Sequence, residues 1–242
     1  MLIEIWSDIA CPWCYIGKVR FEAALERYEH RDAVQVRWRS FELAPAAPKV
    51  DPPSTSEHLM AKYGRSREQV AEMMARVTEV AAAEGLDYRL GDAVAANTFD
   101  AHRLVHLAAA LDPADGGRAM MTRLMRAYQC EGADVSDSAT LVRLGAECGL
   151  DDGRVTRMLA STDHADAVRA DERRAKSLGV DGVPFFVIDE AHGVSGAQPS
   201  EFFLEALRRL GPKGGPVTLL TGTAATDAAA ACTDDGCEVP QA

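Results

Sequence analysis

The chain of 242 residues contains no apolar run approaching the roughly 20 residues that a membrane-spanning helix needs. It has no excess of basic charge either. Lys and Arg total 26 against 37 Asp and Glu, a formal net charge of −11, which argues against a nucleic-acid binder with a basic face. Aromatic residues are scarce, at 6%. Beyond residue 210 there are none, and Gly, Pro, Thr and Ala dominate. Residues 211–242 thus offer too little apolar surface to offset their ordering entropy, and a flexible tail is expected there. The N-terminus lacks a basic segment followed by an apolar one: Met1 leads straight into "LIEIW", and the expectation is a cytoplasmic protein. In a reducing compartment the six cysteines are expected to be catalytic, metal-binding or buried rather than structural bridges.

The chain is long enough for one sizeable domain or two small ones. Residues 2–6 are apolar and β-branched with Glu4 alternating outward, which predicts a strand. After Cys11-Pro12-Trp13-Cys14, apolar residues from Tyr15 to Tyr28 recur at helical spacing, and "VQVRWRSFEL" (34–43) alternates again as a strand. From residue 45 to 178 the pattern is helical. Residues 54–57 and 66–69 fit capping boxes and Gly85 fits a helix end. Further helices are expected over 99–111, 117–131, 138–148, 151–160 and 162–178. Strand character returns with "VPFFVID" (183–189) and "HGVSG" (192–196), before a last helix over 200–210. The order β-α-β, helical block, β-β-α predicts an α/β thioredoxin-like fold. Its discontinuous domain would comprise 1–44 and 179–210, with a helical insertion domain at 45–178 and a tail at 211–242 carrying C-x4-C.

The cysteine pair carries the chemistry. A thiolate attacks a disulfide, and Cys11 would sit at a helix N-terminus, where unpaired N–H groups and the macrodipole favour negative charge. Pro12 suits the first helical position. Cys14, one turn in, is less stabilised as an anion, so Cys11 is the expected nucleophile and Cys14 the resolving thiol. A structural zinc site needs about four ligands. The pair supplies two, and the tail would have to fold back to bring Cys232 and Cys237. His102 and His106 stand four apart but without the intervening carboxylate of a zinc motif, so no metal is expected.

The motifs "SDIACPWCYIGK", "NTFDAHRL" (97–104), "AYQCEG" (127–132), "GVDGVPFFVID" (179–189) and "SGAQP" (195–199) together resemble the DsbA-family thioredoxin-fold oxidoreductases, in their FrnE-like branch, over nearly the whole chain. The resemblance implies a cis bond at Val183-Pro184 packed against the cysteines, with the Val183 backbone free to pair with a substrate strand. Trp13 would tune the pair, either as an aromatic rim or as an anchor. Asn97 or His102 would line the substrate groove. Gln129 departs from the aromatic common at its position. Cys130 and Cys148, on apolar helix faces, are expected to be buried, inert thiols. Met-rich stretches at 73–77 and 120–125 are expected to be core faces or a groove lining.

The implied activity is protein disulfide oxidoreduction or isomerisation by Cys11 and Cys14, with no bound cofactor and with glutathione as a candidate co-substrate. Partners would be thiol- or disulfide-bearing proteins or small molecules, not nucleic acid or membrane; oligomeric state is open. Cys232 and Cys237, on a flexible linker within reach of Cys11, would either form a second redox pair exchanging with Cys11–Cys14 or oxidise on their own without relay. Two other readings compete. Relatives that isomerise 2-hydroxychromene-2-carboxylate with glutathione carry Ser at the first position of the pair, where this chain keeps Cys11. The third is a chaperone-like module whose helical insert grips unfolded chains.

Overall fold

The computed structural model describes residues 1–210 and the backbone of 218–220, 232–233 and 236–237. The chain opens with β1 (Leu2–Ser7), α1 (Pro12–Glu26) and β2 (Gln35–Ser40). Seven helices follow: α2 (Thr55–Tyr63), α3 (Arg67–Ala83), α4 (Phe99–Leu111), α5 (Gly116–Glu131), α6 (Ser138–Glu147), α7 (Asp152–Leu159) and α8 (Ala165–Ser177). The chain then returns to the sheet through β3 (Gly182–Val183), β4 (Phe185–Ile188) and β5 (His192–Ser195), followed by α9 (Ser200–Arg209). Three short strands complete the described residues: β6 (Thr218–Leu220), β7 (Cys232–Thr233) and β8 (Gly236–Cys237).

The sheet has the order β2-β1-β4-β5-β6. β1 runs parallel to β2 and antiparallel to β4, with Ile5 opposite both Trp38 and Phe186. β4 and β5 are antiparallel, joined by a tight turn in which Asp189 and Glu190 both take positive φ. Asp189 also accepts the Leu2 N–H at 2.6 Å, tying that turn to the start of β1. This is the thioredoxin-type α/β arrangement. α1 packs on the sheet beside α9, through Phe21, Phe186 and Phe203, whose ring centroids lie 4.6 to 5.6 Å apart. Such tilted aromatic contacts add to the burial of three large side chains.

Helix ends follow local chemistry. Ser54 and Ser66 form full capping boxes with Glu57 and Gln69, answering N–H groups that the helices leave unpaired. Thr98 caps α4 only through its backbone; the side chain that accepts the Phe99 N–H is Asn97, at 3.1 Å. α8 is fastened to the sheet by buried charge. Arg39 bridges Glu4 and Asp171, Asp171 also accepts the Ser40 N–H at 3.0 Å, and Trp6 Nε1 donates to the Asp171 carbonyl at 2.9 Å. Every charged or polar atom in this cluster has a partner of opposite character, the condition under which burial of charge is tolerated.

Within 211–242, β6 pairs in parallel with β5, and β7 pairs with β3 and β8. The expectation of a flexible tail otherwise falls outside the described residues.

Candidate active site

β1 ends at Ser7 and α1 begins at Pro12, with Cys11 as N-cap in an extended conformation (φ −81°, ψ 114°) and Pro12 at the first helical position. No side chain caps this helix and its first turn has no acidic residue, so its unpaired N–H groups are left to the cysteines. The Cys14 N–H reaches back to the Cys11 carbonyl at 3.1 Å. Cys11 and Cys14 are free thiols, 0% and 1% exposed.

Across from them lies Val183-Pro184, a cis peptide bond. The Cys11 thiol donates to the Val183 carbonyl at 3.5 Å. Gly17, one turn beyond Cys14, lets Pro184 approach: a Cβ there would stand 2.9 Å from Pro184 Cγ and 3.3 Å from Ala197 Cα. The strands and α1 therefore converge on one point, where the first sulfur meets the Val183 backbone.

The electrostatics correct one expectation. Burial pushes the Cys11 thiol well up, and its contact with Cys14 and the charge of Asp8 push the same way, while a backbone hydrogen bond from Cys14 pulls it down. The helix start alone does not ionise a fully desolvated sulfur. Ionisation of Cys11 is thus tied to its being uncovered, after which the Cys14 N–H remains to favour the anion.

Two residues that the sequence did not single out, Asp8 and Tyr88, and a third noted only as a departure from the family pattern, Gln129, hold the loop. Asp8, 1% exposed, accepts the Leu43 N–H at 2.7 Å and the Ala10 N–H at 3.3 Å. The second contact is an Asx turn, and an Asp directly after a strand is the signal that could have found it. Tyr88 donates its hydroxyl to the Pro12 carbonyl at 2.6 Å. Gln129 Nε2 donates to the Ile9 carbonyl at 3.0 Å. The last two bonds join residues 76 and 120 positions apart, which no local pattern reveals.

The expected groove residues are elsewhere. Asn97 spends its amide on the Pro45 and Ala47 carbonyls at 3.4 and 3.0 Å. His102 is fully buried, its Nε2 3.4 Å from Asp8 Oδ1 in an ion pair rather than an aligned hydrogen bond. Burial opposes the charged imidazole, but Asp8 and Glu42 outweigh it and raise the His102 pKa. Asn97 is committed to the loop at 45–47, and His102 is sealed beside Asp8 with both ring nitrogens lacking a hydrogen-bond partner among the described residues, so neither side chain is open to a groove. His106 pairs with Asp171 at 3.1 Å. Trp13 is 1% exposed, an anchor in the core and not a rim. Cys130 and Cys148 are half-buried, not sealed in the core, and burial raises both thiols. Met120, Met121 and Met125 are core. Met73 and Met74 instead border a cavity of about 110 Å³ that also touches Ala10 and Pro12, on either side of Cys11. A larger cavity of about 690 Å³ lies along β2 and the second half of α1, with none of residues 10–14 or 183–184 on its wall.

Side chains of Cys232 and Cys237 lie outside the described residues. Their backbone is described: Cys232 pairs with Val183 and with Cys237.

A family model described as a DSBA-like thioredoxin domain matches residues 2–208. A crystal structure of a probable DsbA oxidoreductase from Streptomyces coelicolor is 46% identical, with a TM-score of 0.83 and full coverage of both chains. A 2-hydroxychromene-2-carboxylate isomerase is 14% identical, with a TM-score of 0.65 over 86% of this chain and 95% of that one. The cytosolic disulfide reductase DsbM from Pseudomonas aeruginosa, also known with GSH, is 21% identical, with a TM-score of 0.55 over 78% of this chain and 84% of its own. At those identities the last two speak for the fold alone.

Proposed function

The chain belongs to the DSBA-like thioredoxin domain family, and from that premise we propose that it is a thiol–disulfide oxidoreductase working through Cys11 and Cys14. One observation carries the reading: Cys11 is the N-cap residue of a helix with Cys14 one turn in, and its sulfur faces the Val183 carbonyl at 3.5 Å beside a cis Pro184. Both thiols needed for the exchange thus share one turn of helix, and the Val183 edge is one that an extended segment pairs with, here β7 of the chain itself.

In the reducing direction the Cys11 thiolate attacks one sulfur of a substrate disulfide. A Cys11–substrate disulfide forms and the other substrate sulfur leaves as a thiolate. The Cys14 thiolate then attacks the Cys11 sulfur, and the second substrate thiolate leaves. Two electrons pass to the substrate, which takes up two protons, and the protein is left with a Cys11–Cys14 disulfide. Two molecules of glutathione, or one of a dithiol, reset it and leave as a disulfide; the oxidising direction is the same sequence reversed. Isomerisation needs only the first step and its reversal at another substrate sulfur. No bound cofactor enters, and a reducing, cytoplasmic setting fits four unlinked cysteines among the described residues.

The test is reduction of insulin by dithiothreitol with wild type and Cys11→Ser. Acceleration by wild type that disappears in the variant supports the reading. Activity surviving the substitution favours a glutathione-dependent isomerase or a binding module.

A second reading rests on the backbone pairing of Cys232 with Val183. The tail pair Cys232 and Cys237 would exchange with the Cys11–Cys14 disulfide, passing two electrons along the chain. Purified Cys14→Ser would then hold a Cys11–Cys232 or Cys11–Cys237 disulfide, found by mass spectrometry; if neither forms, there is no relay.

A further inference from the structure

Beside the sulfurs lies the cavity of about 110 Å³ that the disulfide chemistry does not itself use. Its walls are apolar: Leu59 from α2, Met73, Met74 and Val77 from α3, and Leu90 from the loop after α3. Its rim includes Ala10 and Pro12, the two neighbours of Cys11. Apolar cavities of about 150 Å³ hold a benzene ring, and this one is of that class, too small for fused rings. Methionine walls accommodate a flat ring and make favourable sulfur–aromatic contacts.

Polar side chains interrupt this lining, among them Thr55, His58, Lys62 and Gln129. Gln129 is fully buried and borders the cavity. Its Nε2 donates to the Ile9 carbonyl, which fixes the orientation of the amide, and its Oε1 has no partner among the described residues. A buried acceptor without a donor is costly, and natural sites keep one where a ligand supplies the donor. His58, also on the wall, is held towards its neutral form first by burial and then by the charge of Lys62, which borders the cavity too.

We propose that this cavity is a specificity subsite for a phenol-type ring: one aromatic ring bearing a single hydrogen-bond donor, placed next to the sulfur under attack. The ring stacks between the methionines and its hydroxyl donates to Gln129 Oε1. Two sources supply that chemistry: a tyrosine flanking a cysteine in a disulfide-bearing chain, or a free phenolic molecule. The proposal takes its reacting sulfur from the oxidoreductase reading, but the binding itself does not depend on that reading.

The experiment has two arms on the full-length protein. In the first, reduced protein reacts with three peptide disulfides that differ only in the residue beside cysteine: Tyr, Phe or Ala. Wild type is expected to prefer Tyr over Phe about fivefold, the weight of one neutral hydrogen bond, and Phe over Ala about tenfold. Gln129→Leu removes the Tyr/Phe preference and keeps the Phe/Ala one. Met74→Trp fills the cavity and brings all three rates together. Ratios within one variant cancel any loss of active protein. In the second arm p-cresol is titrated while the Met73 methyl resonance is followed, in wild type and in Met74→Trp. A saturable shift in wild type alone supports the subsite even if no peptide reacts, an outcome that would sink the oxidoreductase reading instead. The same shift with equal peptide rates assigns the subsite to free phenols. Equal rates for all three peptides together with an unmoved Met73 signal overturn the proposal.

Discussion

Gly17→Ala places a methyl group where α1 and the Pro184 ring touch. In an exposed helix this exchange stabilises by about 0.5–1 kcal/mol, because alanine loses less backbone freedom. Here the new Cβ would lie 2.9 Å from Pro184 Cγ and 3.3 Å from both Ala197 Cα and Cβ, against about 3.5–4.0 Å for ordinary contact. Something must move by more than half an ångström. Ala197 is backbone-fixed on one side, its carbonyl accepting from Arg20 at 2.8 Å, so Pro184 is the partner that gives. Overpacking of this kind costs about 1–3 kcal/mol, so the net effect is a loss of about 1–2 kcal/mol after the helix gain is subtracted. The same displacement stretches the 3.5 Å contact between Cys11 and the Val183 carbonyl. Urea unfolding should show a midpoint lower by roughly 0.5–1 M with an unchanged slope, and the rate of peptide-disulfide reduction should fall. A variant more stable than wild type with full activity would refute the close packing of α1 on Pro184.

Three further outcomes follow from the same geometry. Asp8→Asn leaves His102 without its counter-charge and gives the Leu43 and Ala10 N–H groups a poorer acceptor, costing about 3 kcal/mol in urea unfolding. It also removes one of the charges that raise the Cys11 thiol, so Cys11 alkylation in the folded variant should titrate at lower pH than in wild type. His102 has a folded pKa above its unfolded value, held up by Asp8 and Glu42 against burial. Its stabilisation is full below about pH 6.5 and is lost as pH rises through the folded pKa. Wild type should therefore lose more stability between pH 6 and 8 than His102→Gln, and equal slopes would contradict this. Tyr88→Phe removes the tertiary donor to the Pro12 carbonyl, which keeps its bond within α1, and should cost about 0.5–1.5 kcal/mol in the same assay, while the Cys11–Cys14 exchange persists.

The fold was legible where the signals are local. The alternation in 2–6 and 34–43, the serine capping boxes and the glycine-terminated helices all depend on neighbours within four residues, and each stands within a few residues of where the pattern put it, the second strand stopping at Ser40. Cys11 and Cys14 were legible for the same reason: a strand, two cysteines, a proline and a helix lie in one stretch of chain. What did not show was anything set by contacts between distant segments. His102 and Asn97 were expected at a groove because the resemblance packs their helix over the active site; the loop at 45–47 and Asp8 cover them. Asp8, Tyr88 and Gln129 act on the catalytic loop across long separations. Burial of Cys11 had no local signature at all, and it pushes the thiol up against the pull of the helix start.

The whole account turns on which sulfur a substrate meets first. Cys14→Ser, mixed with a peptide disulfide and quenched with acid, should accumulate a one-to-one adduct on Cys11, found by mass spectrometry of its digest, while Cys11→Ser yields none at Cys14. An adduct confined to Cys130 or Cys148, or equal capture by Cys14 in the absence of Cys11, would contradict it.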